Sequence, residues 1–162
     1  MAHELCHIYI DARINGVFVE IICHKTALDI LEEIGAPLTE FGSKAVEDYI
    51  TKVKSDALQA KRIDFDLISL QWIKQKLQEL EQSNTLLDRD MNNIIALKLK
   101  EFVDPVDKLG LIKHVRNSVS PKPPDDTDDL STIPITKLNF DLLLRNIEQN
   151  NIELSKALYD FR

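Results

Sequence analysis

The strongest chemical signal in the chain lies at its start, where residues 3–7 read His3-Glu4-Leu5-Cys6-His7. Positions four apart on a helix share a face, so the two imidazoles can grip one Zn²⁺ with Glu4 between them. A d¹⁰ ion suits neutral imidazole nitrogen. It lowers the pKa of a bound water toward neutrality, and a neighbouring carboxylate can then take the proton. His3 and His7 are therefore the candidate metal ligands and Glu4 the candidate general base. Such a centre needs a third protein ligand. Glu20, in Phe18-Val19-Glu20-Ile21-Ile22-Cys23, is the best placed. The alternatives are Glu32 and Glu33 at longer spacing, and His24 one turn beyond Glu20.

For Glu20 to serve, two helices must present these residues to each other. A first helix over 2–11, a loop over 12–16 and a second helix from Val17 would do so. His7 then lies about 6 Å before the end of the first helix, and Glu20 about 4.5 Å into the second. Antiparallel packing brings the two level. The ring nitrogens and a Glu20 oxygen should lie within roughly 3–5 Å of one another, a span set by metal–ligand distances of about 2 Å. The same segment carries a competing signal. Asn15-Gly16, between Ile10–Ile14 and Val17–Ile22, reads as the turn of a β-hairpin over 7–22. Paired strands would separate His3 and His7 by about 13 Å and abolish the site.

The H-E-x-x-H helix is followed by a Glu-x-x-Cys helix, Glu20 to Cys23, that runs into Thr26-Ala27-Leu28-Asp29-Ile30-Leu31. Over roughly residues 2–34 this resembles the zincin metallopeptidases of gluzincin type. The resemblance implies Zn²⁺ as cofactor and hydrolysis of peptide bonds in a peptide or protein substrate. The metzincin branch does not fit, because Ile10 stands where that branch has glycine and no third histidine follows at its spacing. Glu20 follows His7 more closely than the third ligand does in thermolysin-like enzymes. Zincins place a β-sheet before the active-site helix, and its edge strand aligns the substrate through main-chain hydrogen bonds. That sheet has no room before His3. The expectation is a fragment or a degenerate relative that cleaves peptides poorly on its own.

Two weaker resemblances carry less. Ile14-Asn15-Gly16-Val17 resembles the hairpin of retroviral-type aspartic proteases, but His24-Lys25-Thr26 stands where that family has Asp-Thr-Gly. Lys113-His114-Val115-Arg116-Asn117 resembles the last helix of HEPN-type nucleases, without the histidine that family needs after the arginine.

Beyond the opening segment the periodicity is helical. Ala45, Tyr49, Val53 and Leu58 stripe a helix over 39–61. Leu67, Leu70, Ile73, Leu77 and Leu80 stripe one over 66–81, and Leu87, Met91, Ile94, Ile95 and Leu99 one over 85–102. Asp104-Pro105-Val106-Asp107 reads as the start of a further helix reaching Asn117, with Asp104 as cap. Phe140, Leu143, Leu144, Ile147, Leu154 and Leu158 stripe a last helix over 138–160. The predicted fold is mostly α, a multi-helix bundle resembling the C-terminal helical part of a zincin.

Three regions follow: a helical domain over 1–117, a linker over 118–136 and the C-terminal helix over 137–162. The linker is rich in proline and carries Asp125, Asp126, Asp128 and Asp129, so it is expected to be mobile and protease-sensitive. Lys98, Lys100, Lys108 and Lys113 read as a solvated face.

Composition bounds the partners. The chain has 162 residues, 44% hydrophobic and 29% charged, with a net charge of -7. That is one domain with room for a core. The acidic balance argues against nucleic acid, whose phosphates need clustered Lys and Arg. No stretch approaches a membrane span, and nothing at the start marks secretion. Cys6 and Cys23 read as reduced, buried thiols, and the chain as cytoplasmic. The four glycines form no phosphate-cradling loop. The alternative function is a non-catalytic helical interaction module, with the C-terminal helix as a protein-binding segment.

Overall fold

Hydrophobic periodicity of 3.6 dominates the chain, and helices result. The computed structural model describes residues 2–10, 14–38, 40–83, 88–118 and 136–158. In order these are α1 (Ala2–Ile10), β1 (Ile14–Asn15), α2 (Val17–Leu38), α3 (Glu40–Lys61), a 3-10 turn (Phe65–Leu67), α4 (Leu70–Gln82), α5 (Arg89–Asp107), α6 (Gly110–Val115), β2 (Thr136–Lys137), α7 (Phe140–Asn150) and α8 (Ile152–Ala157). The fold is a multi-helix bundle. Among the described residues no helix is long and apolar enough to cross a membrane.

Helix α2 is the axis of the bundle and packs against α1, α3 and α5. Its first turns are apolar on every side but the one that carries Glu20 and His24: Val17, Phe18, Val19, Ile21, Ile22 and Cys23 are all buried. A helix apolar almost all round must be central. This is why the hairpin over 7–22 does not form. A two-stranded hairpin leaves much of its apolar surface in water, whereas fully burying one Val or Ile side chain yields about 1.5–3 kcal/mol. Residues 7–10 and 17–22 are helical instead. Ile14–Asn15 pairs in parallel with Thr136–Lys137. Gly16 adopts φ +152°, a conformation that favours glycine, and a Cβ there would meet Glu81 Oε1 at 3.2 Å. The same Glu81 oxygen accepts the Val17 N–H at 2.8 Å. An anion thus sits at the positive end of α2.

Caps mark the other helices. Ser69 accepts the Trp72 N–H, Asp88 the Met91 N–H and Asn139 the Leu142 N–H. The stripe of α4 buries Leu70, Ile73, Leu77 and Leu80, but Leu67 lies outside it in the 3-10 turn, exposed. On α3, Ala45 and Tyr49 are exposed rather than part of a buried stripe.

Two boundaries differ from the expected ones. Asp104-Pro105 does not begin a helix, because Pro105 lies within α5 and the next helix starts at Gly110. The Asp104 carboxylate is held by Lys25 and Lys100, so it is committed elsewhere and does not cap. The last helix is two. Asn151 ends α7 with its N–H on Ile147 O, and its side chain accepts the Leu154 N–H to begin α8. Its Nδ2 also donates to Asp107 Oδ2 at 3.1 Å. The apolar stripe survives the break, since Leu143, Ile147, Leu154 and Leu158 are all buried in the core. Ser118 ties α6 to α7: Asn139 N–H donates to its carbonyl at 2.8 Å and Asn146 Nδ2 to its hydroxyl at 2.9 Å. Residues 119–135, most of the expected linker with its aspartates, lie outside the described residues, as does Leu87.

Candidate metal centre

Helices α1 and α2 meet as an antiparallel pair through the short connection that includes β1. Ile10, Cys6, Val19 and Cys23 are buried between and beneath them. That burial sets the rotation of both helices, and the rotation turns His3 and His7 toward Glu20. His7 Nε2 lies 3.3 Å from Glu20 Oε1, and His3 Nε2 lies 3.4 Å from Glu20 Oε2. One ligand atom from each residue can be chosen so that all three lie within 4.8 Å of one another. The two imidazoles meet edge to face, with ring centroids 4.8 Å apart.

The surroundings are partly dry. His3, His7 and Glu20 are each mostly shielded, whereas the Glu4 side chain is 75% exposed. Glu4 Oε1 lies 3.3 Å from His3 Nδ1. His3 Nε2 is buried, and its approach to Glu20 lacks hydrogen-bond geometry, so this nitrogen has no hydrogen-bond partner. Buried polar atoms are nearly always satisfied, so this nitrogen is open to a ligand; Asp104 Oδ1, elsewhere in the chain, is a further such atom.

His24 stands one turn along α2 from Glu20. Its ring centroid is 4.6 Å from that of His3, with the planes tilted by 59°. Burial lowers its pKa, aided by the neighbouring His3, Arg89 and His7; a hydrogen bond with the Asn93 side chain opposes the fall, and the result is about 4. Glu32 and Glu33 turn away from the histidines. Glu32 accepts Lys100 Nζ at 3.0 Å, and Glu33 accepts Lys108 Nζ at 2.8 Å.

A cavity of about 660 Å³ opens on the cluster. Beyond the histidines and glutamates its wall includes Tyr49 from α3 and Arg89 and Asn93 from α5. No local motif announced these three, because they reach the cavity only through packing of α3 and α5 against α2. The thiols beneath the site are free. A hydrogen bond with Cys6, reinforced by burial, pushes the Cys23 thiol far up, so it stays protonated.

A second cluster of charge lies further along α2, where Lys25 and Asp29 are each 1% exposed. Lys25 Nζ is 2.7 Å from Asp29 Oδ2, 2.6 Å from Asp104 Oδ1, and donates to Lys108 O at 2.8 Å. Lys100 Nζ pairs with Asp29 and lies 2.8 Å from Asp104 Oδ2. Burial pushes the Asp29 carboxyl up, against the pull of the two ammonium groups. Lys98 and Lys100 are thus not a solvated face. Lys98 is buried, 4.7 Å from the Phe65 ring centre, and pairs with Glu101 at 2.8 Å. An i,i+4 Lys–Asp pair inside an apolar run was the sequence signal for this network.

Compared with protein-family models, with curated proteins and with solved structures, the chain has no match.

Proposed function

We propose that the protein binds one Zn²⁺ through His3, His7 and Glu20 and belongs with zinc-dependent hydrolases acting on peptide bonds, as a gluzincin-like or degenerate form. The observation that carries this reading is the pair of 3.3 and 3.4 Å imidazole–carboxylate separations. These run to different Glu20 oxygens, and one atom from each residue converges within 4.8 Å; small side-chain rotations bring that to the about 3.3–3.4 Å edge of a tetrahedron with arms of about 2.0–2.1 Å. The donor set, two nitrogens and a carboxylate oxygen, is the kind zinc takes when it keeps a fourth position open.

The side chains have separable roles. With its proton on Nδ1 toward Glu4, His3 presents its Nε2 lone pair to Glu20, an arrangement that a cation between them relieves. Glu20 offers one oxygen to each imidazole. Glu4, at the cavity mouth, is the proposed base; its carboxylate lies on His3 Nδ1, so it would turn from that nitrogen to take a proton from water. Bound zinc would supply Lewis acidity, lowering the pKa of water and polarising a carbonyl. The cavity wall from α3 and α5 partly shields the cluster, and polar groups act more strongly where water is thinned.

Metal analysis of the purified chain tests the reading. Dialysis against excess Zn²⁺ followed by washing should leave about one zinc per chain, and His7→Ala should lose it. Absence of zinc from the wild-type chain would sink the proposal. Peptide cleavage should be slow, because an extended edge strand for substrate is missing among the described residues and positioning supplies several kcal/mol of barrier lowering. Brisk chelator-sensitive proteolysis would show that substrate alignment is achieved another way.

A second reading, a helical interaction module, rests on the outward face of α1. Leu5, Ile8 and Tyr9 are 56%, 68% and 54% exposed. The C-terminal stripe does not favour it, being covered within the chain. If zinc is absent, substitution of Ile8 by Asp with loss of a co-purifying partner would support this module.

A further inference from the structure

The two helices of the candidate centre each offer an i,i+4 pair. On α1 these are His3 and His7, and on α2 they are Glu20 and His24. The helices run antiparallel, so His7 stands against Glu20 and His3 stands against His24. The distances follow that order: 3.3 Å from His7 Nε2 to Glu20 Oε1, and 4.6 Å between the His3 and His24 ring centroids. Four potential donors from two helices therefore line one cavity. Yet only three of them, His3, His7 and Glu20, converge within 4.8 Å. The His24 ring lines the same cavity and hydrogen-bonds the Asn93 side chain.

We infer that His24 is a fourth protein ligand, which leaves Asn93 and swings onto the metal, closing the coordination shell of the resting protein. The inference rests on the zinc reading above and deepens it. A three-ligand site keeps a position for water, whereas a four-ligand site is closed and structural in character. Here the closed form clips α1 to α2. His24 and Asn93 form a gate: with His24 on Asn93 the fourth position is open, and with His24 on the metal it is filled.

The alternative is that His24 stays on Asn93 and acts only through the surroundings of His3. Affinity alone does not separate the two, since loss of an outer-shell partner itself costs about 10–100-fold. Counting imidazoles does. The chain has four histidines, and the fourth, His114, lies away on α6. X-ray absorption of the zinc-loaded wild-type chain should show three imidazoles in the first shell, and of His24→Gln, two. The Co²⁺-loaded forms should show a matching change in visible absorption. Asn93→Ala, which removes the parking place, should hold the wild type at three imidazoles with affinity equal or higher. His24→Phe serves if His24→Gln folds poorly, with hydrogen exchange of α1 amides as the fold readout.

Two imidazoles in the wild type, unchanged by His24→Gln, overturn the inference and leave the three-ligand reading standing. A wild-type chain that binds no zinc overturns both.

Discussion

Helix α2 carries two charged clusters a turn apart, and they are built on opposite plans. Lys25 and Asp29 sit in a closed network, in which two ammonium groups face two buried or half-buried aspartates at hydrogen-bonding distance. Glu20 and His24 sit in an open one, where imidazoles and carboxylate face each other and, among the described residues, no ion pair ties Glu20 to a lysine or arginine, although Arg89 lines the same cavity. Asp29, Glu32 and Asp104 also lie close enough together to hold a metal, yet lysine nitrogens already occupy that place. Acidic proximity alone therefore says little. A buried atom without a hydrogen bond occurs in both clusters, His3 Nε2 in one and Asp104 Oδ1 in the other, but Asp104 Oδ1 has the Lys25 ammonium 2.6 Å away, whereas His3 Nε2 faces only the Glu20 carboxylate among the contacts of the described residues. One cluster is neutralised by lysines of the chain itself, while the other has the donor set that the proposed zinc would take.

The sharpest way to break this comparison is to remove one member of the closed network. Asp29→Ala leaves Lys25 buried with half its compensation, and such losses cost about 3–5 kcal/mol. Urea denaturation should show that fall. The metal-free His7→Ala protein should lose less, about 1 kcal/mol, because a single neutral hydrogen-bonding group at the cavity edge is removed and no buried charge is stranded. Equal losses would mean that the two clusters do not differ in kind.

The order should reverse when zinc is the readout. His7→Ala should weaken Zn²⁺ by more than about 100-fold, or about 2.7 kcal/mol, in a chelator competition, while Lys25→Met should leave affinity unchanged once folding is confirmed. Glu20→Ala should weaken it less, because the two imidazoles remain. Zinc at about 100 times its dissociation constant should stabilise the wild type by about 2.7 kcal/mol.

The clusters should also fail at opposite ends of the pH scale. His24 titrates near 4 in the folded chain, below the ordinary 6.5 of the unfolded one. The unfolded state therefore binds the extra proton first, and stability drops as pH falls from about 6.5 toward 4. The groups facing His24 are His3 and His7 from α1, Arg89 and Asn93 from α5, and Glu20 on its own helix. His24→Gln should flatten that slope in denaturation curves taken at successive pH values. Lys100 behaves in the opposite sense. Burial pulls its ammonium down, but Asp104, Asp29 and Glu32 outweigh burial and hold it above 10.5. Its contribution is intact below that value and is lost only as pH rises through the raised one.

The smallest effect is expected of Glu4→Gln. Glu4 is mostly exposed, and its Oε1 approaches His3 Nδ1, so zinc affinity should change by about tenfold, the low end of the range for outer-shell partners. Any peptide hydrolysis should disappear. Loss of the metal in Glu4→Gln would make Glu4 a ligand rather than a base.

Much of the fold was legible because its signals are local. The i,i+4 spacing of His3 and His7 and the start of α2 at Val17 depend on helix rise and turn chemistry within a few residues. So do the stripe of α4 and the apolar set of α7 and α8. Of the expected loop over 12–16, Ile14–Asn15 is instead a strand and 12–13 lie outside the described residues. The convergence on Glu20 followed from the same local arithmetic, since a short connection leaves two helices little choice but to pack side by side.

Tertiary structure decided what local rules left balanced. Asn15-Gly16 favours a hairpin by propensity, but only the surrounding helices could reward burying Val17, Val19, Ile21 and Ile22 on all sides. Asp104-Pro105 favours a helix start, but lysines from α2 and from one turn back on α5 claimed the carboxylate. Lys100 reads as a surface charge until α2 is laid against it. Tyr49, Arg89 and Asn93 belong to the cavity only because α3 and α5 cover the end of α2. By itself the sequence determined the donors and their spacing, because a helix places i and i+4 together whatever surrounds it. Which charges are paired and which wait for a partner was decided by long-range packing, because burial and Coulomb energy depend on neighbours that the chain brings from far away.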